Sequence, residues 1–392
     1  MNHMSLKNIV KKLPFINTLA KVIYDYRREI FLDKRIRNFL AKKELPFANK
    51  APEKYSVGYE PTIRCNLKCK MCYQGQTRAL RRNELNTSET ADIFGKLKGR
   101  VNEIKMVGGE PFVRDDIFEL ISFWDKEGER IILQTNLTLL REKEIEKLKN
   151  YKHISDVLTS LDGPPVVHDA VRGVPGAFVK LKESILNLKK HRPDIPITIF
   201  ATMLLNDDFV SLFNLVDTVK DLGINTVNVL FEQVYSANEI KTAREIFKKE
   251  FGWDEGSYRL NTQMRDPSFE PSLEKGDVLK NLKKLRHYGF AKKCFVNFVP
   301  FNYYKNVDTY LGKKKAKTFC LKLMAPELRI NQTGDVIWCD VIERSFGNLL
   351  EKTPDEIWLS EDYQKFRNRL FQKGGFPICY RCCKAHYIWC KV

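Results

Sequence analysis

The chain has 392 residues, of which 43% are hydrophobic, and a formal net charge of +18. This apolar content is sufficient for a buried core and argues against a disordered chain. No apolar run approaches the roughly 20 residues of a membrane-spanning helix, and the N-terminus lacks an apolar signal core with a cleavage site. We therefore expect a cytoplasmic protein of about two to three domains with an anionic partner, which charge alone does not identify.

The first 50 residues have the apolar spacing of amphipathic helices and carry 12 Lys or Arg against 4 Asp or Glu. A basic amphipathic helix can lie on an anionic membrane surface, which would make the protein peripheral at the inner membrane face. The alternative is a helix packed on the main domain with a solvated basic face. Both interpretations stay open at the level of sequence.

From about residue 55 to residue 250, strand and helix patterns alternate. The predicted strands are Tyr55–Ile63, Glu103–Val107, Ile131–Thr135, Ser155–Leu161, Ile197–Met203 and Thr226–Phe231. The predicted helices between them include Ser88–Leu97, Asp116–Asp125, Glu142–Lys149, Ala177–Lys190 and Phe209–Leu222. This alternation predicts an α/β fold with a parallel sheet. Because six units are too few for a full eight-stranded barrel, we expect a partial (βα)6 barrel with its site at the carboxyl ends of the strands.

The ten cysteines fall into two blocks. Three lie close together at Cys65, Cys69 and Cys72. The others are Cys294, Cys320, Cys339, Cys379, Cys382, Cys383 and Cys390. In a chain that is not exported, clustered thiols are more often metal ligands or catalytic groups than disulfides. The layout therefore predicts two metal sites on separate parts of the chain.

The first block has the spacing C-x3-C-x2-C directly after the first predicted strand. Three thiolates can hold a [4Fe–4S] cluster and leave one iron without a protein ligand, and soft thiolates suit both such clusters and zinc. A structural zinc site needs four protein ligands, and no fourth Cys or His lies nearby. The spacing therefore favours a cluster whose open iron binds a small molecule.

This motif, together with the sequence MVGGEP at Met106–Pro111 after the second strand, resembles the radical S-adenosylmethionine (SAM) superfamily. The resemblance implies that SAM binds the open iron and that the reduced cluster cleaves it to a 5′-deoxyadenosyl radical. That radical would abstract hydrogen from an unactivated C–H bond of the substrate. An electron donor of the flavodoxin or ferredoxin type is also implied.

The resemblance further implies a set of SAM-binding residues at the strand ends. These are Gly108, Gly109, Glu110, Pro111, Asn136, Ser160, Arg172, Asn206 and Leu230. Gly108 and Gly109 would let the backbone approach a ligand, Glu110 would accept from the SAM ammonium, and Arg172 would clamp its carboxylate. Asn206 and Leu230 are equally explained as ordinary strand-end and core residues. His168, in the same stretch as Arg172, is either a general base or a structural residue.

The second block begins with a predicted hairpin around Gly334, followed by a helix near Trp358–Phe371 and a Cys379-x2-Cys382 pair. It resembles the C-terminal SPASM/twitch extensions of radical SAM enzymes. The resemblance implies one auxiliary [4Fe–4S] cluster. Its ligands would be Cys320, Cys339, Cys379 and Cys382. The two-cluster pattern fails because Ile388 and Val392 stand where it has cysteines.

A four-cysteine zinc site remains the main alternative at this position. Cys294, Cys383 and Cys390 are plain thiols, ligands of an incomplete second cluster, or a hydrogen-atom donor. The predicted organisation has four parts: a basic helical segment (1–50), the partial barrel (51–250), a linker region with a strand-like Cys294–Phe301 (251–318), and a small cysteine-rich cluster domain (319–392).

Asp340 directly follows Cys339. The chain resembles the anaerobic sulfatase-maturating subgroup of radical SAM enzymes. In those enzymes an aspartate at the matching place is thought to take the substrate's proton, which implies that Asp340 is a catalytic base. The alternative is an aspartate that serves only the hairpin.

We expect hydrogen abstraction followed by oxidation (dehydrogenation) of a lipid, a sugar or cyclitol, or a peptide. The alternatives are an epimerase, or a cross-linking or other bond-forming enzyme, on a peptide or membrane lipid. A zinc-stabilised nucleic-acid-binding protein is disfavoured because the GGEP turn has no role there, so no nucleic-acid partner is expected.

Overall fold

The computed structural model describes residues 32, 34–72, 74, 83–203, 209–261, 274–299, 307–311 and 317–388. Asn206, Cys390 and the first 31 residues therefore lie outside the described residues.

The core of the fold is a parallel sheet that follows the chain in order. Its first six strands are β1 (Tyr55–Tyr59), β2 (Val101–Met106), β3 (Arg130–Gln134), β4 (Ile154–Ser160), β5 (Ile197–Met203) and β6 (Thr226–Phe231). Each pairs in parallel with the next. This confirms the predicted α/β fold with its parallel barrel strands.

Helices cover the outer face of these strands. They span Thr87–Leu97, Ile117–Lys126, Glu142–Leu148, Pro165–Arg172, Ala177–His191, Val210–Asp221 and Ala237–Phe251. The first begins with a capping box, in which the Asn86 side chain accepts from the Glu89 amide and Glu89 accepts from the Asn86 amide. Along β5, Ile199, Ala201 and Met203 are fully buried against the helices, while the residues between them are half-buried on the inner face. Because side chains alternate between the two faces of a strand, one face of the sheet packs in the core and the other faces the site.

The sheet continues beyond the barrel strands at both edges. The strand β8 (Phe295–Val299) pairs in parallel with β6, and β10 (Glu327–Ile330) pairs in parallel with β1. From β10 the sheet continues antiparallel through β11 (Asp335–Ile337) and β13 (Ser345–Asn348). Within the described ranges, ten strands thus form one sheet in the order β13-β11-β10-β1-β2-β3-β4-β5-β6-β8.

The predicted linker region, residues 251–318, contributes directly to this sheet. The helix Lys275–Ala291 precedes β8 and packs on it. The Arg286 guanidinium lies over the Phe298 ring, 4.9 Å from its centroid. Local patterning identifies Cys294–Phe301 as strand-like, but it does not say which strand will be its neighbour.

Short elements complete the C-terminal part. Two small sheets pair β7 (Arg259–Leu260) with β12 (Ile342–Glu343) and β9 (Lys317–Cys320) with β14 (Ala385–Ile388). The remaining helices are Val307–Tyr310, Pro354–Trp358 and Glu361–Lys373, with 3-10 turns at Pro111–Val113, Glu255–Ser257, Leu321–Met324 and Pro377–Cys379. The single helix predicted near Trp358–Phe371 is therefore two helices, because Ser360 has an extended backbone between them.

The described part of the N-terminal segment packs against the C-terminal part of the chain. Residues 34–40 form a helix. Ile36 and Phe39 are buried, and the Phe39 ring meets Phe319 edge-on at 5.6 Å and Phe371 at 5.7 Å. For these residues the structure favours the packed-helix alternative, so the membrane hypothesis concerns residues 1–31. None of the helices in the described part of the chain combines the length and apolarity that crossing a bilayer requires.

Candidate active site

The first cysteine block lies on the loop that follows β1, at the carboxyl edge of the sheet. Cys65, Cys69 and Cys72 are all partly exposed on this loop. Its backbone is held from one side by the turn after β2, since the Gly109 and Glu110 amides donate to the Thr62 and Arg64 carbonyls at 2.8 Å.

The other side of the cysteine loop is held by the end of the helix Pro165–Arg172. The Lys68 amide donates to the Arg172 carbonyl at 2.9 Å, and the Lys70 amide donates to Val171 at 3.1 Å. The three thiols are thus carried by a loop whose backbone is hydrogen-bonded on two sides.

The glycines of the GGEP turn are required by this packing. A Cβ on Gly109 would lie 2.1 Å from the Arg64 carbonyl oxygen, and one on Gly108 would lie 2.4 Å from that of Thr62. The backbone that these glycines approach is therefore that of the cysteine loop, and their approach to a ligand stays a prediction.

Glu110 braces the ends of β2 and β3. Its buried carboxylate accepts from the Thr135 hydroxyl at 2.7 Å, from the Asn136 amide at 2.7 Å and from the Phe112 amide at 3.2 Å. Burial raises the pKa of Glu110 to about 7, although these hydrogen bonds act to lower it. Both oxygens already accept from the protein, so a contact with the SAM ammonium stays a prediction.

Asn136 lies beside the first cysteine. Its Nδ2 donates to Asn66 Oδ1 at 2.9 Å and is 3.9 Å from Cys65 Sγ. Its Oδ1 accepts from the Thr138 amide and hydroxyl. The side chain therefore connects the end of β3 to the cysteine loop, where a SAM contact is predicted for it.

Arg172 is already paired within the protein. Its Nε and Nη2 donate to the two carboxylate oxygens of Asp162 at 2.7 and 2.8 Å, while Nη1 lies 3.7 Å from Cys69 Sγ. Burial would raise the pKa of Asp162, but Arg172 and His168 outweigh it and lower that pKa. Asp162 thus occupies the Nε hydrogen and one Nη2 hydrogen of Arg172, while the Nη1 hydrogens and the second Nη2 hydrogen are not used by it, so a contact with the SAM carboxylate stays a prediction.

His168 is a buried structural residue in this arrangement. It is 1% exposed, and its Nδ1 lies 3.3 Å from both the Asp162 amide nitrogen and Asp162 Oδ2. The structure therefore supports the structural alternative over a general base.

The other predicted SAM-binding residues lie around the same edge. Ser160 ends β4 and Leu230 lies in β6, and both are half-buried on the inner face of the sheet. Pro111 is buried at the start of a 3-10 turn. The structure thus brings Gly109, Glu110 and Asn136 to the cysteine loop.

The second cysteine block brings together four thiols from separate elements. Cys320 ends β9, Cys339 follows β11, and Cys379 and Cys382 lie in the turn before β14. Burial raises the pKa of Cys379, and the nearby Cys320 and Cys339 raise it further. Burial likewise raises the pKa of Cys339 to about 12.

Buried thiols that oppose one another's ionisation are poised for a metal, because a bound metal ion stabilises the thiolates. The donor set therefore fits a [4Fe–4S] cluster at this position. In the described part of the chain, no group of three His, Cys, Asp or Glu side chains has the arrangement that holds a single metal ion.

Two of the remaining cysteines have different surroundings. Cys294 is 1% exposed in the hydrophobic core, as a plain thiol would be. Cys383 faces charged groups instead. A hydrogen bond with Cys382 and the charges of Lys384 and Lys105 lower the pKa of Cys383 to about 6, although burial and Asp340 oppose this.

Asp340 lies in a charged cluster that also includes Arg329 and Glu60. Arg329 donates from Nε and Nη2 to Glu60 Oε1 at 2.9 and 2.6 Å, and its Nη2 lies 2.8 Å from Asp340 Oδ1. Burial and Asp340 raise the pKa of Glu60 to about 8, against the effect of Arg329. Burial would raise the pKa of Asp340, but Arg329 and Glu60 lower it. Asp340 is thus the ionised member of the pair, and 34% of its side chain is exposed.

Glu60 and Arg329 belong to no sequence motif that would identify them as site residues. Arg329 lies within the predicted hairpin, but only the pairing of β10 with β1 brings it over Glu60. No spacing between residues so distant in the chain would reveal this contact.

Comparisons with known proteins agree with this geometry. Residues 59–218 match the family model of the radical SAM superfamily, and residues 320–383 match that of the SPASM iron-sulfur cluster-binding domain. The chain therefore carries a radical SAM domain and a SPASM domain, which imply SAM and both catalytic and auxiliary [4Fe–4S] clusters.

Its relatives have several described activities. The AdoMet-dependent heme synthase of Nitratidesulfovibrio vulgaris is 26% identical over 82% of this chain and 84% of its own length. The Fe-coproporphyrin III synthase of Methanosarcina barkeri is 27% identical over 83% of this chain and 80% of its own. The AdoMet-dependent heme synthase of Methanosarcina barkeri is 32% identical, but the match spans 45% of this chain and only half of that protein.

Among solved structures, native anSMEcpe with bound AdoMet and the Cp18Cys peptide has a TM-score of 0.58 and 18% identity. The match covers 85% of this chain and 88% of that one. At this identity the likeness concerns the fold.

Proposed function

We propose that this radical SAM enzyme abstracts hydrogen from an unactivated C–H bond and that the outcome is oxidation of the substrate. When bound, SAM and the catalytic cluster supply the abstracting radical, and the auxiliary cluster supplies an electron acceptor. The observation that carries the proposal is the place of Asp340, an ionised and partly exposed carboxylate directly after the auxiliary ligand Cys339.

In this proposal Asp340 takes the proton that the oxidised carbon centre or its heteroatom must lose. Arg329 holds the Asp340 carboxylate at 2.8 Å, and it also pairs with Glu60. Because Glu60 keeps its proton at neutral pH, the negative charge of the pair rests on Asp340. Arg329 and Glu60 are therefore positioning residues, and Asp340 is the base.

The proposed SAM site uses the edge around the cysteine loop. Cys65, Cys69 and Cys72 hold the catalytic cluster, and Cys320, Cys339, Cys379 and Cys382 hold the auxiliary cluster. Asn136 and Ser160 are proposed to contact SAM together with the GGEP turn. Arg172 contributes the hydrogens of Nη1 and Nη2 that Asp162 does not occupy.

The substrate class is also a proposal. Full-length relatives are named for heme and Fe-coproporphyrin III synthesis, and a structural neighbour holds a peptide. We propose iron coproporphyrin III and cysteine-containing peptides as the first substrates to try, with a flavodoxin-type or ferredoxin-type electron donor in the cytoplasm.

A second candidate function is epimerisation, for which Cys383 would donate a hydrogen atom to the substrate radical. The observation that favours it is that Cys383, unlike Cys294, lies among Lys105, Asp340 and Lys384 rather than in the apolar core. Only the protonated form of Cys383 has a hydrogen atom to donate, and the pKa of about 6 makes this the minor form at neutral pH. The resulting thiyl radical would need one electron, which the auxiliary cluster could supply in its reduced form, and one proton from solvent to return to the thiol. Epimerisation leaves the mass of the substrate unchanged in ordinary water. Incorporation of deuterium into such a product when the reaction runs in heavy water would favour epimerisation over oxidation.

The test uses anaerobically reconstituted enzyme with each candidate substrate and compares Asp340→Asn with the exposed helix variant Asp92→Asn. Asp340→Asn should still form 5′-deoxyadenosine but yield about 100-fold less product lighter by two hydrogens, since a general base contributes a factor of this order. Asp92→Asn should behave as wild type. An unchanged yield in Asp340→Asn would remove the proposed base, and a wild type that forms no 5′-deoxyadenosine would remove the function.

A further inference from the structure

A lysine that pairs with no carboxylate of the described residues lies on the inner face of the barrel. Lys105 stands in β2 between Ile104 and Met106, both of which are fully buried against the helices. Its side chain therefore belongs to the opposite, inner face of the sheet. Among the described residues, the Lys105 ammonium makes no hydrogen bond and no ion pair. It stands three residues before Gly108, one layer below the turn that holds the cysteine loop.

The strand register brings Arg329 next to Lys105. Arg329 pairs with Gly58 of β1, and Gly58 pairs with Lys105 of β2, so the three residues lie side by side across the sheet. A Cβ on Gly58 would lie 3.0 Å from Arg329 Nη1. Gly58 thus leaves room for the arginine side chain to lie across β1, towards Lys105.

The charges around this position do not balance. Arg329 is paired with both Glu60 and Asp340, but no carboxylate of the described residues pairs with Lys105, which shares the Cys383 thiol with Lys384. The other groups that act on Lys105 are Lys384, Cys383 and Glu327, and Glu327 is paired with Lys322 at 3.0 Å. Burial and the positive charges of Lys384 and Arg329 lower the pKa of Lys105 to about 8. A bound anion would remove this unfavourable arrangement.

We infer that Lys105 and Lys384 form a subsite for a carboxylate group of the substrate, between the SAM-binding edge and Asp340. An ammonium group on the barrel wall and a second one on the cluster domain would hold the carboxylate by charge-assisted hydrogen bonds. The subsite rests on the proposed function, since it positions the substrate for the same centre. It predicts that the substrate is an acid, whether a tetrapyrrole carboxylate or an acidic peptide side chain.

The experiment compares acids with neutral counterparts of the same shape, by ultrafiltration with anaerobically reconstituted holoenzyme. One pair is coproporphyrin III and its tetramethyl ester, and the other is a glutamate-containing tripeptide and its glutamine analogue. The variants are Lys105→Met, the charge-conserving Lys105→Arg, and the control Lys143→Met on an exposed helix position. SAM-dependent formation of 5′-deoxyadenosine is measured in parallel with wild type.

Wild type should bind one of the acids at least about tenfold more tightly than its neutral counterpart, as one charged hydrogen bond provides. Which pair shows the preference identifies the source of the carboxylate. Lys105→Met should lose the preference, while Lys105→Arg and Lys143→Met should keep it. The subsite would be overturned if wild type bound the acid and the neutral form equally or bound neither. It would also be overturned if Lys105→Met kept the preference for the acid. If 5′-deoxyadenosine still forms, that failure concerns the subsite alone, whereas its absence removes the proposed function itself.

Discussion

Gly109 and Arg64 are in backbone contact: the amide after Gly109 donates to the Arg64 carbonyl, and a Cβ on Gly109 would lie 2.1 Å from that oxygen. The turn after β2 and the loop with the catalytic cysteines are therefore one packed unit. A side chain at residue 109 acts on the cluster site through the position of this loop, without touching a thiol.

We expect Gly109→Ala to displace the cysteine loop, because neither backbone can move without breaking the hydrogen bonds between them. Overpacking of this kind costs about 1–3 kcal/mol. Iron in the reconstituted protein should fall from about eight atoms per chain towards about four, with the auxiliary cluster retained.

The matched control is Gly95→Ala, on a helix surface with nothing within 4 Å of the added Cβ. It should keep all its iron and gain about 0.5–1 kcal/mol from better helix propensity. Full iron content in Gly109→Ala would contradict the proposed link between the turn and the loop.

Glu110 gives the protein a specific pH dependence. Its pKa is raised by burial from 4.5 to about 7 in the folded state. A carboxyl group with a raised folded pKa contributes stability that is fully present below about pH 4.5 and is lost as pH rises through 7. This loss amounts to about 3 kcal/mol.

Glu110→Gln should remove this contribution, because glutamine does not titrate. The difference in thermal midpoint between wild type and Glu110→Gln should therefore become steadily less favourable to wild type from pH 5 to pH 7.5. Melting curves of the metal-free proteins at several pH values provide the measurement. A difference that stays constant over this range would show that Glu110 is already ionised at pH 5.

Arg329 compensates the ionised carboxylate of Asp340 and also donates to Glu60, so its removal should be costly. We expect Arg329→Met to lose about 3–5 kcal/mol, as when one member of a buried ion pair is deleted. The double variant Asp340→Asn/Arg329→Met should lose less than Arg329→Met alone, because the uncompensated carboxylate is gone.

Arg130 offers the control for Arg329, since it also lies between two carboxylates, Glu103 and Asp156, but is 51% exposed. Arg130→Met should change the free energy of unfolding by at most about 1 kcal/mol. Equal losses in Arg130→Met and Arg329→Met, measured by denaturant unfolding, would argue against a special role for burial at Arg329.

Phe39 attaches the N-terminal segment to the C-terminal part of the chain. Phe39→Ala should cost about 3–5 kcal/mol, because the ring is buried between Phe319 and Phe371. Phe290→Ala is the control, since that ring is 43% exposed and its loss should stay within about 0.5 kcal/mol. Thermal melting of both variants checks this, and similar midpoints would mean that the segment does not contribute to the folded core.

The strands show how far local pattern carries. Ile197–Met203 and Thr226–Phe231 have the bounds that their alternation predicts, because each strand has one face against helices. The first strand ends at Tyr59 rather than Ile63, because Thr62 and Arg64 give their carbonyls to the turn after β2 instead of a neighbouring strand. The hydrophobic periodicity of a segment does not show whether its backbone hydrogen bonds go to a neighbouring strand or to a turn far away in the chain.

The candidate site divides in the same way. Cysteine spacing and the GGEP turn predict the first set of ligands, because these residues are close in sequence, whereas the second set is implied by the resemblance to SPASM/twitch extensions. The partners of Arg172 and Asp340 cannot be predicted in this way, because tertiary contacts bring them together. They are Asp162 for Arg172, and Arg329 and Glu60 for Asp340. Arg172 illustrates the consequence: its residue type suggests a clamp for a ligand carboxylate, but the protein provides its own carboxylate in Asp162.

The parallel pairing of β1 with β10 has a consequence for biosynthesis. Ser56 leaves the ribosome early, but its partner Glu327 is made only after nearly all of the barrel. Until then the first barrel strand has an open edge, which is a template for unwanted association. Closing this edge also delivers Arg329 to Glu60, so until then Glu60 lacks the partner that holds it in the finished site. Chaperone protection and delayed iron loading are therefore expected features of its maturation.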